Sequence, residues 1–454
     1  MSLRRSSKFA ANTNGNRVHP EIRRITFYSG NPTRMIVLYN VNHYLGGGET
    51  LFVRFCDYLD SIDEPYIAIC AEGSFIQQKL AASPSVKGKV VALSGDLDYF
   101  YLKKDAQAAL LAKVSASIGA QNEVKFVTFC MRDLHLARAL SHQVANISIS
   151  HLILHVQDDL YLGQTLFDKA AYALTKKRAF RNKALINFNR ALLKQINDNN
   201  GLICMAQVIA DHWERTFGLH VPRNRIVPLP SFSEAEPGAG AEANNKSIIW
   251  IGRIVDFKIP AVCAMVEFLS KRTDYTLTIV GSGATAQIDE AVRKFGVDPA
   301  RIRFIGELPY DKIREEIVKH SIGYAMGTSL VELARYRIPV IVALASYDHA
   351  LFDKPICGGL FFDKPLGCDG SELMNSDGPD IAELTDVIQA VEADYLGVAA
   401  KCYEYAKTHY SVAENFSRYV EIIKATKKIS PNGFSEDQPK ANVLRRVLFN
   451  VASQ

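Results

Sequence analysis

The stretch SIIWIGRIVDFKIP, residues 247–260, decides the fold. Ser247 to Ile251 suit a strand buried on both faces; the run breaks at Gly252 and is followed by Arg253 and, five positions on, Lys258. A strand that stops at a glycine and delivers two cations is what an open α/β sheet needs, because ligands there gather at the carboxyl ends of the strands. The planar fork of Arg and the mobile ammonium of Lys suit the two charges of a diphosphate. Residues 324–343, YAMGTSLVELARYRIPVIVA, complete the pattern. Small residues Gly327, Thr328 and Ser329 precede Leu330, Val331 and Glu332, then a short helix and the strand Pro339 to Ala343. The free N–H groups of such a helix start carry partial positive charge and would face the same phosphates. Glu332 would accept from ribose hydroxyls.

Working outward, apolar runs alternate with helical segments along most of the chain. Strands are expected at Met35 to Tyr39, Tyr66 to Cys70, Val90 to Leu93, Val124 to Phe129, Ser150 to His155 and Gly201 to Met205. A second series follows at Ile248 to Ile251, Leu277 to Val280, Ile302 to Ile305, Ile322 to Ala325 and Val340 to Ala343. Strands alternating with helices imply βαβ units and parallel sheets. Between the series, a Pro, Ser, Gly, Ala and Asn stretch lacks periodicity and reads as a linker. The expected organisation is a mobile tail over 1–30, an N-terminal Rossmann-like domain over 31–230, a linker over 231–245 and a C-terminal domain over 246–412. Helices over 413–454 return to the first domain; the last of them, from Lys440, carries Val443, Leu444, Val447, Leu448 and Val451 near helical spacing.

In these residues the chain resembles the retaining glycosyltransferases of family 4, which have the GT-B fold. Their donor domain carries a GR-x4-K segment, matched by Gly252, Arg253 and Lys258, and a Glu-x7-Glu segment whose second acid is matched by Glu332. Tyr44-Leu45-Gly46-Gly47-Gly48-Glu49 is similar to the family's N-terminal glycine loop, Ile279-Val280-Gly281-Ser282-Gly283 to its second donor-domain turn, and Phe304-Ile305-Gly306-Glu307-Leu308 to its third. The likeness covers roughly residues 35 to 427. It implies two Rossmann-like parallel-sheet domains facing across a cleft and transfer of a sugar, with retention, from a nucleoside-diphosphate sugar to a glycan or lipid-linked acceptor. It implies donor contacts at Gly47, Gly48, Glu49, Gly252, Gly281, Gly283, Ile305, Gly306, Leu308, Gly327, Thr328, Ser329, Leu330 and Glu332. Arg253 and Lys258 would stabilise the leaving diphosphate, and His155 resembles the family's cleft histidine beside the transferred sugar. One position departs: eight residues before Glu332 stands Tyr324 where the family has its first glutamate. The expectation is that main-chain N–H groups around Gly327 to Leu330 hold the sugar hydroxyls instead, and that Tyr324→Glu would change donor preference.

Several of these features have a plainer reading. His151 and His155 lie on or beside an apolar run, where a satisfied core histidine is the ordinary outcome. Gly281 and Gly283 alone make an ordinary strand-to-helix turn. Asp96-Leu97-Asp98 has the spacing some glycosyltransferases use for Mn²⁺, but it reads here as a loop, with no metal and no cofactor expected.

Composition fits a large globular enzyme. The chain has 454 residues, 48% hydrophobic and 22% charged, with eight scattered cysteines and no CxxC pair, which read as reduced thiols. No apolar run is long enough to span a bilayer, and the polar, basic start has no signal-like hydrophobic region, so a cytoplasmic protein is expected. Part of the net charge of +5 is concentrated over 169–194, where Lys and Arg alternate with apolar residues. Two readings stay open for this segment: a solvated helix face, or contact with anionic lipid at the inner face of the membrane. Nucleic acid is not an expected partner, since no binding module accompanies the charge. A non-catalytic nucleotide-binding relative and a sugar-nucleotide epimerase remain as alternatives. A nicotinamide dehydrogenase is disfavoured because the first loop is GGGE and not G-x-G-x-x-G.

Overall fold

The computed structural model describes residues 34–43, 46–154, 183–234, 245–346, 349–367 and 381–430. The tail, His155, the 169–182 part of the basic segment and the last helix from Lys440 lie outside the described residues.

The first sheet has six strands: β1 (Met35–Asn40), β2 (Tyr66–Ala71), β3 (Lys89–Leu93), β4 (Val124–Thr128), β5 (Ile147–Ile153) and β6 (Leu202–Cys204). They lie in the order 3-2-1-4-5-6 and every pair is parallel. Side-chain alternation explains why the sheet needs cover on both sides. In β1, Ile36 and Leu38 enter one core and Val37 and Tyr39 the other. The first core is closed by α1 (Gly47–Ser61) and α2 (Phe75–Ala82), the second by α3 (Lys104–Ile118), α4 (Met131–Leu140), α5 (Lys183–Asp198) and α6 (Gln207–Phe217).

The second sheet repeats the plan with β7 (Ser247–Ile251), β8 (Thr276–Val280), β9 (Ile302–Gly306), β10 (Ile322–Ala325) and β11 (Val340–Val342). Its order is β11-β10-β7-β8-β9, again all parallel. The intervening helices are α7 (Ile259–Lys271), α8 (Ala286–Phe295), α9 (Tyr310–Ile317) and α10 (Thr328–Ala334). The short antiparallel pair β12 (Ile356–Cys357) and β13 (Ala382–Glu383) precedes α11 (Leu384–Ala393) and α12 (Tyr395–Tyr410). In each sheet the direction of winding reverses beside the first strand, between β1 and β4 and between β7 and β10. These two reversal points are where ligands bind in open α/β sheets.

The chain then crosses back. Helix α13 (Val412–Ala425), capped by the Ser411 hydroxyl, packs on the first sheet: Phe416 stacks on Phe55 at 5.2 Å, and the Tyr419 hydroxyl donates to the Val227 carbonyl. Beyond it, the buried Lys125 ammonium donates to the Thr426 carbonyl at 2.8 Å. The outbound segment runs beside the returning one. Ser231 and Phe232 both donate to the Tyr410 carbonyl, Val412 donates to Phe232, and the Asn415 amide reaches the Pro228 carbonyl at 3.0 Å.

The described part of the basic segment has an ordinary explanation. In α5, Phe188, Leu192, Leu193 and Ile196 are buried, while Arg190 and Lys194 face solvent and Lys194 pairs with Asp198 at 2.6 Å. Among the described residues no helix is long and apolar enough to cross a membrane.

Candidate functional site

At the end of β7 the backbone is held rigidly. The Trp250 indole donates to the Gly252 carbonyl, and the N–H groups of Gly252 and Ile254 donate to Val280 and Ser282 at 3.0 and 2.8 Å. This segment lies directly over the turn after β8. A side chain on Gly281 would begin 2.0 Å from the Gly252 carbonyl oxygen, and one on Gly283 2.0 Å from that of Ile254. The glycines thus exist to let two backbones touch, and their service to the site is to hold up Arg253. Arg253 itself is exposed, and among the described residues it has no ion pair or side-chain hydrogen bond. Lys258 occupies the N-cap of α7, and its ammonium leans back over Gly252, 3.4 Å from where a side chain there would start.

After β10, Gly327 takes φ 71°, a left-handed conformation that glycine adopts without penalty, and opens α10. The Leu330 N–H donates to the Gly327 carbonyl at 3.1 Å, and the Leu330 side chain is fully buried. The N–H groups left to meet a ligand are therefore those of Thr328 and Ser329. Glu332 is one turn deeper, its carboxylate engaged by Arg335 at 3.1 Å with both side chains largely covered. Tyr324 itself does not stand at the site. Tyr324 is a core residue of β10, fully buried, edge-on to Trp250 at 5.6 Å, its hydroxyl donating to the Ala261 carbonyl at 3.2 Å. Strand pairing runs through Ala325, so the position eight residues before Glu332 points into the core, not into a site.

The facing wall comes from β1 and α1. Glu49 is buried and accepts from the side-chain amides of Asn40 and Asn42 at 3.3 and 3.0 Å, so its carboxylate braces the glycine loop from behind. Gly48 packs against Leu154. Behind the brace, Arg132 donates to Asn42 at 2.9 Å and faces Asp98 at 3.6 Å. Burial, opposed by Arg132, pushes the carboxyl of Asp98 up to about 6 and that of Asp133 up to about 7. Asp96 accepts from the Asp98 N–H, which makes this stretch a local turn. His151 is fully buried, its Nδ1 2.8 Å from the Thr128 hydroxyl and its Nε2 without a hydrogen-bond partner among the described residues, and burial lowers its pKa to about 3; it is a core histidine, but only half satisfied.

The two walls enclose a cleft of about 300 Å³. Gly46, Gly47, Thr50, Leu51 and Arg54 line one side, Arg253 and Thr328 the other, and Leu229, Pro230 and Ser231 of the crossing segment the floor. Of the residues expected from sequence, Gly47, Arg253 and Thr328 meet here; Gly252, Lys258 and Ser329 adjoin them along the chain. Gly281, Gly283, Glu49, Leu330 and Glu332 stand behind the lining. Ile305, Gly306 and Leu308, at the end of β9, are outside it, with Ile305 and Leu308 packed on the domain core. Arg54 and the Leu229–Ser231 floor were not anticipated. The signal for Arg54 was present: positions 47, 50 and 54 fall on one stripe of a helix that starts at the glycine loop.

No known family profile matches the chain, and no curated protein matches its sequence. Solved structures do resemble it. HepE from Anabaena, in complex with UDP, superposes with a TM-score of 0.53 at 12% identity, over 86% of this chain and 99% of that one. A glycosyltransferase from Rickettsia africae gives 0.53 at 12% identity, over 86% and 97%. The lipopolysaccharide outer core galactosyltransferase WaaB, in its apo form, gives 0.52 at 12%, over 86% and 99%. The architecture is that of the GT-B glycosyltransferases: two parallel α/β sheets whose reversal points face one cleft.

Proposed function

We propose that the protein is a glycosyltransferase that moves a sugar from a nucleoside-diphosphate sugar to a glycan or lipid-linked acceptor, with retention of configuration. The observation that carries this reading is the meeting, in one cleft, of the glycine loop after β1 with Arg253 and the Thr328 helix start. Sugar transfer breaks the bond between the anomeric carbon and a phosphate oxygen, so negative charge grows on the diphosphate while the sugar gains oxocarbenium character. Fixed donors aimed at that growing charge lower the barrier most. Arg253 supplies a planar fork, Lys258 a second positive charge beside it, and the N–H groups of Thr328 and Ser329 a short array of main-chain donors. These cations occupy the role a divalent metal takes in other transferases, so the reading includes metal-independent turnover and no resident cofactor. The UDP bound by HepE supports a uridine nucleotide as the first donor to test. Contact with an anionic membrane surface through the 169–194 segment, and an acceptor borne on lipid, belong to the same proposal.

The deciding experiment is turnover of UDP-, GDP- and ADP-sugars in excess EDTA. We expect release of nucleoside diphosphate by the native protein and a loss of about 10² to 10³ in rate for Arg253→Ala, the usual cost of one oxyanion-type donor. A second reading has its own observation: among the described residues the lining of the cleft contains no carboxylate, and Glu332 is held by Arg335. A nucleotide-binding protein without turnover fits that arrangement. Saturable binding of a nucleoside diphosphate with no turnover of any sugar ester would select it.

A further inference from the structure

We infer that Arg54 is a third cation of the diphosphate site, supplied by the opposite wall and engaged most strongly as the leaving group departs; this rests on the nucleotide-sugar reading above. Arg54 and Arg253 line the same cleft of about 300 Å³ from the two different sheets' helices and loops. Neither has an ion pair or a side-chain hydrogen bond among the described residues, whereas the neighbouring arginines are committed, Arg132 to Asp98 and Asn42 and Arg335 to Glu332. Two uncompensated guanidinium groups sharing a small cavity repel each other, and an anion between them removes that repulsion. Geometry aims Arg54 at the right place. It lies two turns into α1, about 10 Å from the glycine loop along the axis, and long helical side chains lean back toward the helix start. Gly47, Thr50 and Arg54 form one stripe on the cleft side, while Phe52, Phe55, Cys56 and Leu59 take the buried face.

Charge counting gives Arg54 its task. The diphosphate of a sugar ester carries two negative charges, which Arg253 and Lys258 match. As the acceptor oxygen bonds to the anomeric carbon, the carbon–oxygen bond to phosphate breaks and its electron pair stays on the phosphate oxygen. The acceptor proton passes to that phosphate or to water. The freed end becomes the terminal phosphate of a nucleoside diphosphate, whose last ionisation, like that of a phosphate monoester, has a pKa of about 6, so at neutral pH about one more negative charge develops. Arg54 faces that extra charge from the first domain, across the cleft from Arg253. Binding to Arg54 is thus worth more in the transition state than in the ground state.

The test is titration calorimetry with UDP, GDP and ADP and with their glucose esters, on the native protein and on Arg54→Ala, Arg54→Lys and Arg253→Ala, with melting temperatures as a check on folding. A hydrogen bond to a charged group is worth about 1.5 to 3 kcal/mol. Arg54→Ala is therefore expected to weaken the nucleoside diphosphate by roughly tenfold or more, to weaken the sugar ester distinctly less, and to lower the saturated rate of ester cleavage; Arg54→Lys recovers part of each. Native affinity and rate in Arg54→Ala, with Arg253→Ala impaired, would overturn the assignment of Arg54 alone. Equal weakening of diphosphate and ester with an unchanged saturated rate would also overturn it. Failure of the native protein to bind any of the six nucleotides would instead remove the reading on which it rests.

Discussion

Tyr324 shows how a single residue can mislead when a motif is counted and not placed. Its ring is enclosed by the second domain's core, and its hydroxyl, bonded to the Ala261 carbonyl, has a raised pKa because burial disfavours the phenolate. Tyr324→Glu should therefore fail to change donor preference and should instead unfold or strongly destabilise the protein, since a lone carboxylate would be buried without a partner. Tyr324→Phe should cost only about 1 kcal/mol, the worth of one hydrogen bond, with native kinetics. Denaturant midpoints and turnover of both variants check this. Arg253 was legible in the sequence because a strand, a glycine and a cation follow in order, and the sheet then dictates where the cation emerges. Gly281 and Gly283 were visible as a turn, but their reason, two backbones in contact, depends on the path of residues 252–254 and is not a local property. Arg54 escaped because its meaning depends on which stripe of α1 faces the other domain.

At the scale of elements, the reversal point between β1 and β4 holds a polar cluster of which the sequence singled out only Asp98. Tyr39, Asp98, Arg132 and Asp133 lie beneath the glycine loop, and Arg132 joins them to it through Asn42 and Glu49. Asp133 is fully buried, with one carboxylate oxygen lacking a hydrogen-bond partner among the described residues. Its folded pKa of about 7 exceeds the ordinary carboxylate value, so the folded state binds more protons than the unfolded state between about pH 4 and 7. Its contribution to stability is accordingly greatest below that window and is lost as pH rises through it. Asp133→Asn, neutral at every pH, should gain melting temperature relative to the native protein as pH is raised from 5 to about 8; a difference that stays constant or shrinks with pH contradicts the assignment. Comparison between variant and parent is needed because His135 and His151 act oppositely. Burial lowers both to about 3, so they remain neutral in the fold and cost stability as pH falls below the ordinary histidine value. The strands and helices themselves were readable from the period of apolar residues, since β1 and β7 are buried on both faces and leave unmistakable runs. The cluster was not, because Asp98 and Asp133 are brought together only by the order of the strands.

In the described residues the two large sheets share one winding order and are joined by two adjacent crossings. Residues 228–232 leave the first domain where residues 409–415 return, and four hydrogen bonds between backbone atoms or to them tie the pair. Because Leu229, Pro230 and Ser231 also floor the cleft, any rotation of one domain on the other reshapes the site at its base. The alternation of strands and helices made this architecture legible from sequence, while the depth of the cleft and its floor needed the three-dimensional path. The central claim is that one nucleoside diphosphate touches loops from both sheets at once. Hydrogen exchange with and without saturating UDP, GDP or ADP tests it directly. A nucleotide bound across the cleft should slow exchange together at residues 46–54, 252–258 and 327–330. Protection confined to one domain, or appearing only elsewhere on the molecule, would contradict it.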